Sequence, residues 1–202
     1  SQLEHGETTT LVLKPEGNHR FTFQPGQFFW ITLGDSPFSL QQHPFSISSS
    51  AAQDGQLAFS AKQLGDFTRQ LPKVSLNTRA FIEGPYGAFI ANPDNTSGIV
   101  MMAGGIGITP FMSMLHTFRD RNIQIPLWLV YANPTWQEAT FRDTLAGLEK
   151  QLNLTVIHVI SDPHDSWEGE TGYVDQALIE RCLPQDDKHR DYFICGPDPM
   201  MN

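Results

Sequence analysis

The chain carries only two cysteines, Cys182 and Cys195, among 202 residues. Two thiols make neither a disulfide framework nor a four-cysteine iron–sulfur cluster, and they fit a reducing, cytosolic setting. The seven histidines have no zinc-ligand spacing, so no metal site is expected. Basic residues are also few: 13 Lys and Arg stand against 22 Asp and Glu, a formal net charge of -9. Such a chain repels phosphate backbones and anionic lipid, which argues against nucleic-acid binding and against attachment through a basic patch. No internal repeat, no G-x-S-x-G nucleophile elbow and no opening secretory pattern occurs. One charge-free run, Ser97 to Leu115, contains Gly98, Gly104, Gly105, Gly107 and Pro110. It reads as strand, glycine turn and helix start rather than as a membrane span.

What is present is enough to fold. Hydrophobic residues make up 40% and charged residues 17%, which supports a core and excludes general disorder. The length suits two domains of about 100 residues each. The first half reads as β: short apolar or alternating runs at Leu11–Leu13, Arg20–Phe23, Phe28–Leu33, Phe45–Ser48, Leu57–Ala61 and Arg79–Glu83 are separated by Pro, Gly and Asn turns. A small antiparallel barrel is expected, interrupted by a short helix at Asp66–Leu71 that ends before Pro72. The second half alternates strand and helix. Strands are predicted at Ile99–Ala103, Leu127–Tyr131, Leu154–Ile160 and Tyr192–Cys195. Helices are predicted at Pro110–Arg121, Thr135–Gln151 (Thr135 and Glu138 having capping-box spacing) and Val174–Cys182. That order implies a parallel sheet with helices on both faces. The polar stretch Asn92–Ser97 marks the boundary, giving domains 1–95 and 96–202.

Several motifs could carry chemistry. Gly104-Gly105-Ile106-Gly107-Ile108-Thr109-Pro110 follows a strand and opens a helix. Its glycines allow a tight turn and close approach of a ligand, and the helix N-terminus favours a pyrophosphate. Pro110 suits the first helical turn but stands where the usual dinucleotide fingerprint has a third glycine. A glycine turn that binds nothing is the other reading. Cys195-Gly196-Pro197 ends the last strand, at the edge of the sheet where ligands sit, although a lone Cys is also an ordinary small core residue. His43-Pro44-Phe45-Ser46-Ile47-Ser48-Ser49 joins an aromatic face, hydroxyls and a possible cation, as a flat ring system would need; composition alone reads it as a Ser-rich strand end. Gly65-Asp66-Phe67-Thr68, with Lys62 before it, is either a second phosphate-binding turn or an ordinary capped helix. Gly84-Pro85-Tyr86-Gly87 is a turn by composition.

Taken together and in this order, HPFSIS, KQLGDFT, GPYGAF, GGIGITPF and CGPDPM resemble the ferredoxin–NADP reductase superfamily across nearly the whole chain. The form HPFSISS, with His in place of the more usual Arg, is similar to the branch of NADPH oxidases and ferric reductases. The resemblance implies an FAD-binding barrel followed by an NAD(P)-binding α/β domain. It implies that Phe45 stacks on the isoalloxazine, that Ser46 bonds near flavin N5, and that His43 takes the place of the arginine at the FAD pyrophosphate. Pro44, Ile47, Ser48 and Ser49 complete that segment. Gly65, Asp66, Phe67 and Thr68 match the second pyrophosphate turn, beside Lys62. Gly105, Gly107, Thr109 and Pro110 match the loop holding the nicotinamide nucleotide. Cys195, Gly196 and Pro197, with Met200 following, match the segment beside the nicotinamide, so Ser46 and Cys195 are the candidate catalytic residues.

The implied reaction is hydride transfer from NAD(P)H to FAD, then single-electron transfer to a haem or metal acceptor. Neither Asn133–Trp136 nor Ser161–His164, after the second and third strands of the nucleotide domain, contains an Arg for a 2′-phosphate. This leans toward NADH, with Arg142 as a possible exception. Relative to the family both ends read as trimmed. The expectation is therefore the cytoplasmic dehydrogenase region of a longer protein, at the inner face of the cell membrane, with a haem-bearing membrane domain or a redox protein as partner. A soluble reductase component for an iron–sulfur protein or oxygenase, and a non-catalytic flavin-binding sensor or assembly subunit, are the alternatives.

Overall fold

The structure is a computed structural model, and it describes residues 1–17, 19–34, 36–38, 42–186 and 189–201. The first half forms two three-stranded antiparallel sheets. One has the order β1 (Gln2–Glu4), β2 (Thr8–Leu13), β5 (Leu57–Lys62); the other has the order β4 (His43–Ser46), β3 (Phe28–Leu33), β6 (Ala80–Tyr86). Their inner faces meet on one apolar cluster: Leu11, Phe29, Ile31, Ile47, Leu57, Phe59, Ala61 and Leu71. Alternation along β3 and β5 sends every second side chain inward, so burial of these residues fixes the register. The helix α1 (Asp66–Gln70) follows β5, and a 3-10 turn at Leu71–Lys73 continues it through Pro72 rather than stopping before it.

The second half is a five-stranded parallel sheet in the order β10 (Glu170–Thr171), β9 (Leu154–Ile160), β8 (Leu127–Asn133), β7 (Ile99–Gly104), β11 (Asp191–Cys195). All six residues of β7 are buried, as a central strand covered on both faces must be. On one face α2 (Thr109–Asp120) and α3 (Arg142–Leu148) pack against Ile99, Met101, Leu129 and Tyr131. On the other, α4 (Gln176–Cys182) packs against Val100, Met102, Val130 and Val159. Asp175 caps α4, its carboxylate accepting from Leu178 N at 2.8 Å, so the helix begins two residues later than the pattern predicts. The chain ends in a short helical turn, α5 (Asp198–Met201).

Three expectations are corrected. Arg20–Phe23 forms no strand; Phe21 and Phe23 still pack onto the first core, so the hydrophobic signal was burial without a ladder partner. The helix expected over Thr135–Gln151 is broken. Trp136–Glu138 is a 3-10 turn, Phe141 has φ 63°, and α3 starts only at Arg142. Thr135 makes no side-chain cap; the Glu138 N–H bonds the Thr135 carbonyl, and the Glu138 carboxylate is paired with Lys62. The Phe45–Ser48 strand shifts to His43–Ser46, with Ile47 making only an isolated bridge to Phe59.

Burial sets an acid limit on this fold. His116 on α2 and His158 on β9 are pushed down from 6.5 to about 4 by burial, His116 also by Arg119 nearby. The unfolded chain therefore binds more protons between those values. Stability is complete above pH 6.5 and declines as the pH falls toward 4. Thermal melts should show Tm falling by roughly 5 °C or more over that window. His158→Phe should flatten part of the slope; an unchanged slope would contradict it.

Candidate functional site

β7 and β11 are neighbours in the sheet, yet the helix after β7 crosses to β8 on its other side. Their carboxyl ends therefore flank the point where strand order reverses, and there the backbone approaches itself closely. A Cβ on Gly107 would lie 2.2 Å from the Cys195 carbonyl oxygen, and one on Gly104 would lie 2.6 Å from Pro197 Cδ and 3.0 Å from Met200 Sδ. A Cβ on Gly196 would lie 2.8 Å from Met200 Sδ. Only glycine permits this contact between the two strand ends. Gly105 differs: it has φ +52° and nothing within 4 Å of a Cβ position, so its backbone faces open space. Three glycines thus build a cradle and the fourth leaves room above it, which fits a nucleotide phosphate approaching main-chain N–H groups.

Thr109 behaves otherwise than as a ligand contact. It is buried, and both its N–H and its hydroxyl go to the Ile106 carbonyl, the hydroxyl at 2.8 Å. Thr109 and the buried Pro110 shape the loop from beneath. Cys195 is half-buried, and burial raises its thiol above the usual value. The group stays protonated and serves as an apolar neighbour, not as a base or nucleophile.

In the first domain His43, Phe67, Phe45 and Phe59 form a ladder of rings. His43 lies on Phe67 at 3.9 Å, Phe45 is 5.9 Å from Phe67, and Phe45 lies on Phe59 at 4.7 Å, all within 27° of parallel. Phe67 is the second residue of α1, so His43 is held beside that helix's opening. The first intrahelical bond is Arg69 N to Gly65 O, which leaves the N–H groups of Asp66, Phe67 and Thr68 ahead of it. The Thr68 hydroxyl gathers the N–H groups of Leu64 and Gly65, each at 3.0 Å, and fixes the turn. No hydrogen bond among the described residues engages the Ser46 hydroxyl, and Pro44 beside it is exposed. Half-buried aromatic side chains and a free hydroxyl fit a flavin.

The remainder of the HPFSISS segment points elsewhere. Ile47 is fully buried in the first core, and its N–H bonds Gln27 O. Ser48 is buried and receives a hydrogen bond from Ser60, while Ser49 Oγ accepts from Ala58 N. The Ser49 carbonyl accepts from Ser113 on α2 at 2.8 Å, and Ala51 N bonds Thr117 Oγ1 at 2.9 Å. These residues join the two domains. Lys62 is also placed differently from a phosphate ligand: its ammonium lies 2.6 Å from Glu138 of the second domain. The turn Gly105–Ile108 packs against β5, so the glycine cradle adjoins the first domain.

At the carboxyl ends of β8 and β9 lies a cluster that the sequence does not announce. Trp136 meets His158 edge-on at 4.9 Å and Trp167 at 5.3 Å, and the Arg142 guanidinium lies 5.0 Å over the Trp136 ring. Arg142 also donates to Trp136 O at 2.9 Å, so it is committed locally. Trp167 comes from the β9–β10 connection, where spacing gives no cue.

Comparison with known proteins gives the family of both halves. The family profile described as FAD-binding domain matches residues 2–90, and that described as Oxidoreductase NAD-binding domain matches residues 101–202. The chain belongs to the ferredoxin–NADP reductase-like family of FAD- and NAD-binding oxidoreductases. It is 29% identical over 188 residues to the glycine betaine monooxygenase reductase subunit of Chromohalobacter salexigens, covering 90% of this chain and 50% of that protein. It is 28% identical over 177 residues to NADH-cytochrome b5 reductase 1 of Lodderomyces elongisporus, covering 85% and 53%. The chain thus spans about half the length of these curated relatives. The fold superposes on the flavohem-like FAD/NAD binding domain of nitric oxide dioxygenase from Vibrio cholerae with a TM-score of 0.82 at 23% identity, covering 99% of this chain and 85% of that one. Among the described residues no helix is long and apolar enough to cross a membrane.

Proposed function

We propose that this chain takes a hydride from NAD(P)H onto FAD and that the reduced protein passes electrons singly to a haem or metal acceptor. The carrying observation is that the Gly104–Gly107 cradle, closed by Cys195 and Gly196, lies against β5 of the FAD-binding domain. When bound, the flavin supplies the conversion between two-electron and one-electron chemistry. Ser46 offers a free hydroxyl to the ring system and His43 a donor to its phosphates; Phe45, which the resemblance sets on the isoalloxazine, packs between Phe59 and Phe67 and supports this wall of the site from behind. Gly105 and Gly107 admit the nicotinamide nucleotide, with Gly196, Pro197 and Met200 closing one side. No residue need act as general acid or base, so the protein's work is orientation and electrostatics.

The acceptor is proposed to be a redox protein or domain carried by another chain or by the rest of a longer one. The names of the relatives, a monooxygenase reductase subunit and a cytochrome b5 reductase, support this reading. The HPFSISS form favours a haem-bearing membrane domain as that acceptor, with this chain on its cytoplasmic side. The test is steady-state reduction of ferricyanide and of a haem protein by the FAD-supplemented chain, with each donor in turn. Reduction of both acceptors is expected; bound FAD with no acceptor reduced would overturn the proposal.

Donor choice follows from the adenosine end. Among the described residues no arginine stands free there, since Arg142 is held by Trp136. NADH should be preferred over NADPH by about tenfold or more in kcat/KM, the worth of one unmade charge-assisted contact. Equal values for the two donors would contradict that assignment.

A further inference from the structure

Resting on the reading that two cofactors meet between the domains, we propose that Lys62 and Glu138 form a latch that sets the two domains in register. Lys62 then acts as a positioning residue through Glu138, not as a phosphate ligand. Lys62 ends β5 and pairs in register with Thr8 of β2, so the two side chains stand together at one edge of the first domain. Opposite them lies the segment Trp136–Asp143, which directly follows β8. Lys62 Nζ meets Glu138 Oε2 at 2.6 Å, and the Thr8 and Thr140 hydroxyls are 3.1 Å apart. The Thr140 hydroxyl also donates to the His5 carbonyl at 3.2 Å, and His5 Nε2 lies 2.9 Å from Asp143 Oδ2.

The backbone is shaped to the same contact. The turn between β1 and β2 places Gly6 at φ +67°, and a Cβ there would lie 2.6 Å from the Glu138 carbonyl oxygen. Glu138 is therefore gripped twice, by Gly6 at its main chain and by Lys62 at its side chain. Both partners are largely shielded, with Lys62 24% and Glu138 35% exposed. Removing either leaves the other charge partly buried without its counterion.

The Lys62 half of the latch leads directly to a candidate cofactor contact, and the Glu138 half to the segment after β8. From Lys62, Leu64 N bonds back to the Lys62 carbonyl, and Thr68 ties Leu64 and Gly65 to the opening of α1. From Glu138, the 3-10 turn carries Trp136 and the clamped Arg142. A shift at the latch therefore moves the phosphate turn of one domain relative to the nucleotide loops of the other. Hydride transfer is steep in distance, so such a shift acts on the chemical step rather than on either affinity.

The experiment compares wild type with Lys62→Met, Glu138→Gln, the double variant, and the charge-swapped pair Lys62→Glu with Glu138→Lys. Hydrogen exchange of the protein without cofactor is read first. Each single variant should speed exchange at both Gly6–Thr8 and Glu138–Thr140. The rate constant for flavin reduction at saturating donor is read second. Each single variant should lower it about tenfold, the double no further, and the swap should recover most of it. FAD and donor dissociation constants should stay within about twofold, since no ligand contact is lost. The proposal is overturned if Lys62→Met weakens FAD or donor binding while Glu138→Gln does not. It is also overturned if the two single effects add, or if exchange is unchanged. A wild type that neither donor reduces would overturn the oxidoreductase reading alone, and the exchange arm would still decide the latch.

Discussion

Gly107→Ala should abolish nicotinamide-dependent reduction of this protein while leaving its FAD bound. The added methyl would sit 2.2 Å from the Cys195 carbonyl oxygen and 3.0 Å from Gly196 N, both of them backbone atoms that no rotamer change can move. The ends of β7 and β11 must then separate. Overpacking of this kind costs about 3 kcal/mol, which for a chain of this size lowers Tm by roughly 6–12 °C. The functional loss should be larger than the loss of stability, because the displaced atoms are the walls of the cradle. The first domain has its own core around Phe29 and Phe59 and should keep its cofactor. Gly105→Ala is the control. Its Cβ meets nothing, so strain from the left-handed backbone costs about 1 kcal/mol, and stability should fall much less. Donor dissociation constants from equilibrium titration, together with melting curves, check both variants. Equal behaviour of the two would show that strand-end contact is not what builds the site.

Ser46→Ala should lower the hydride-transfer rate constant by about a hundredfold with little change in donor affinity, the pattern of a donor that acts only as charge develops. Hydroxyls within one short segment differ in their partners. The hydroxyls of Ser48 and Ser49 are spent on Ser60 and on Ala58 N, whereas the Ser46 hydroxyl has no partner among the described residues. Ser48→Ala should therefore act on stability and leave the chemical step nearly unchanged. Single-turnover reduction at several donor concentrations separates rate from affinity. A Ser46→Ala variant that changes only affinity would assign the hydroxyl to binding instead.

The two-domain plan is legible in the sequence because β7, β8 and β9 are short apolar runs, the first two each followed by a turn and a helix, and because the GGIGITP turn falls at the first of those junctions. The antiparallel half is legible from Phe28–Leu33 and Leu57–Ala61, whose burial gives clear runs. Less legible is whatever depends on the opposite domain. β1 and β10 are short edge strands that exist only through their neighbours. The helix predicted from Thr135 is broken because Thr140 and Glu138 bond to the first domain, more than a hundred residues away for the Thr8–Thr140 contact. Contiguity misleads at HPFSISS: alternation sends Phe45 and Ile47 toward the core, the Ser46 hydroxyl has no partner among the described residues, and the Ser48 hydroxyl is taken up by Ser60. Lys62 looks like a phosphate partner because Gly65 follows it, and only the fold reveals Glu138 at its ammonium.

The most direct measurement is an anaerobic titration of the FAD-supplemented chain with NADH and, separately, NADPH, following the flavin absorbance. Rapid bleaching is expected, with NADH the better donor. Bound flavin that stays oxidised in the presence of both donors would contradict hydride transfer as the chemistry of this site.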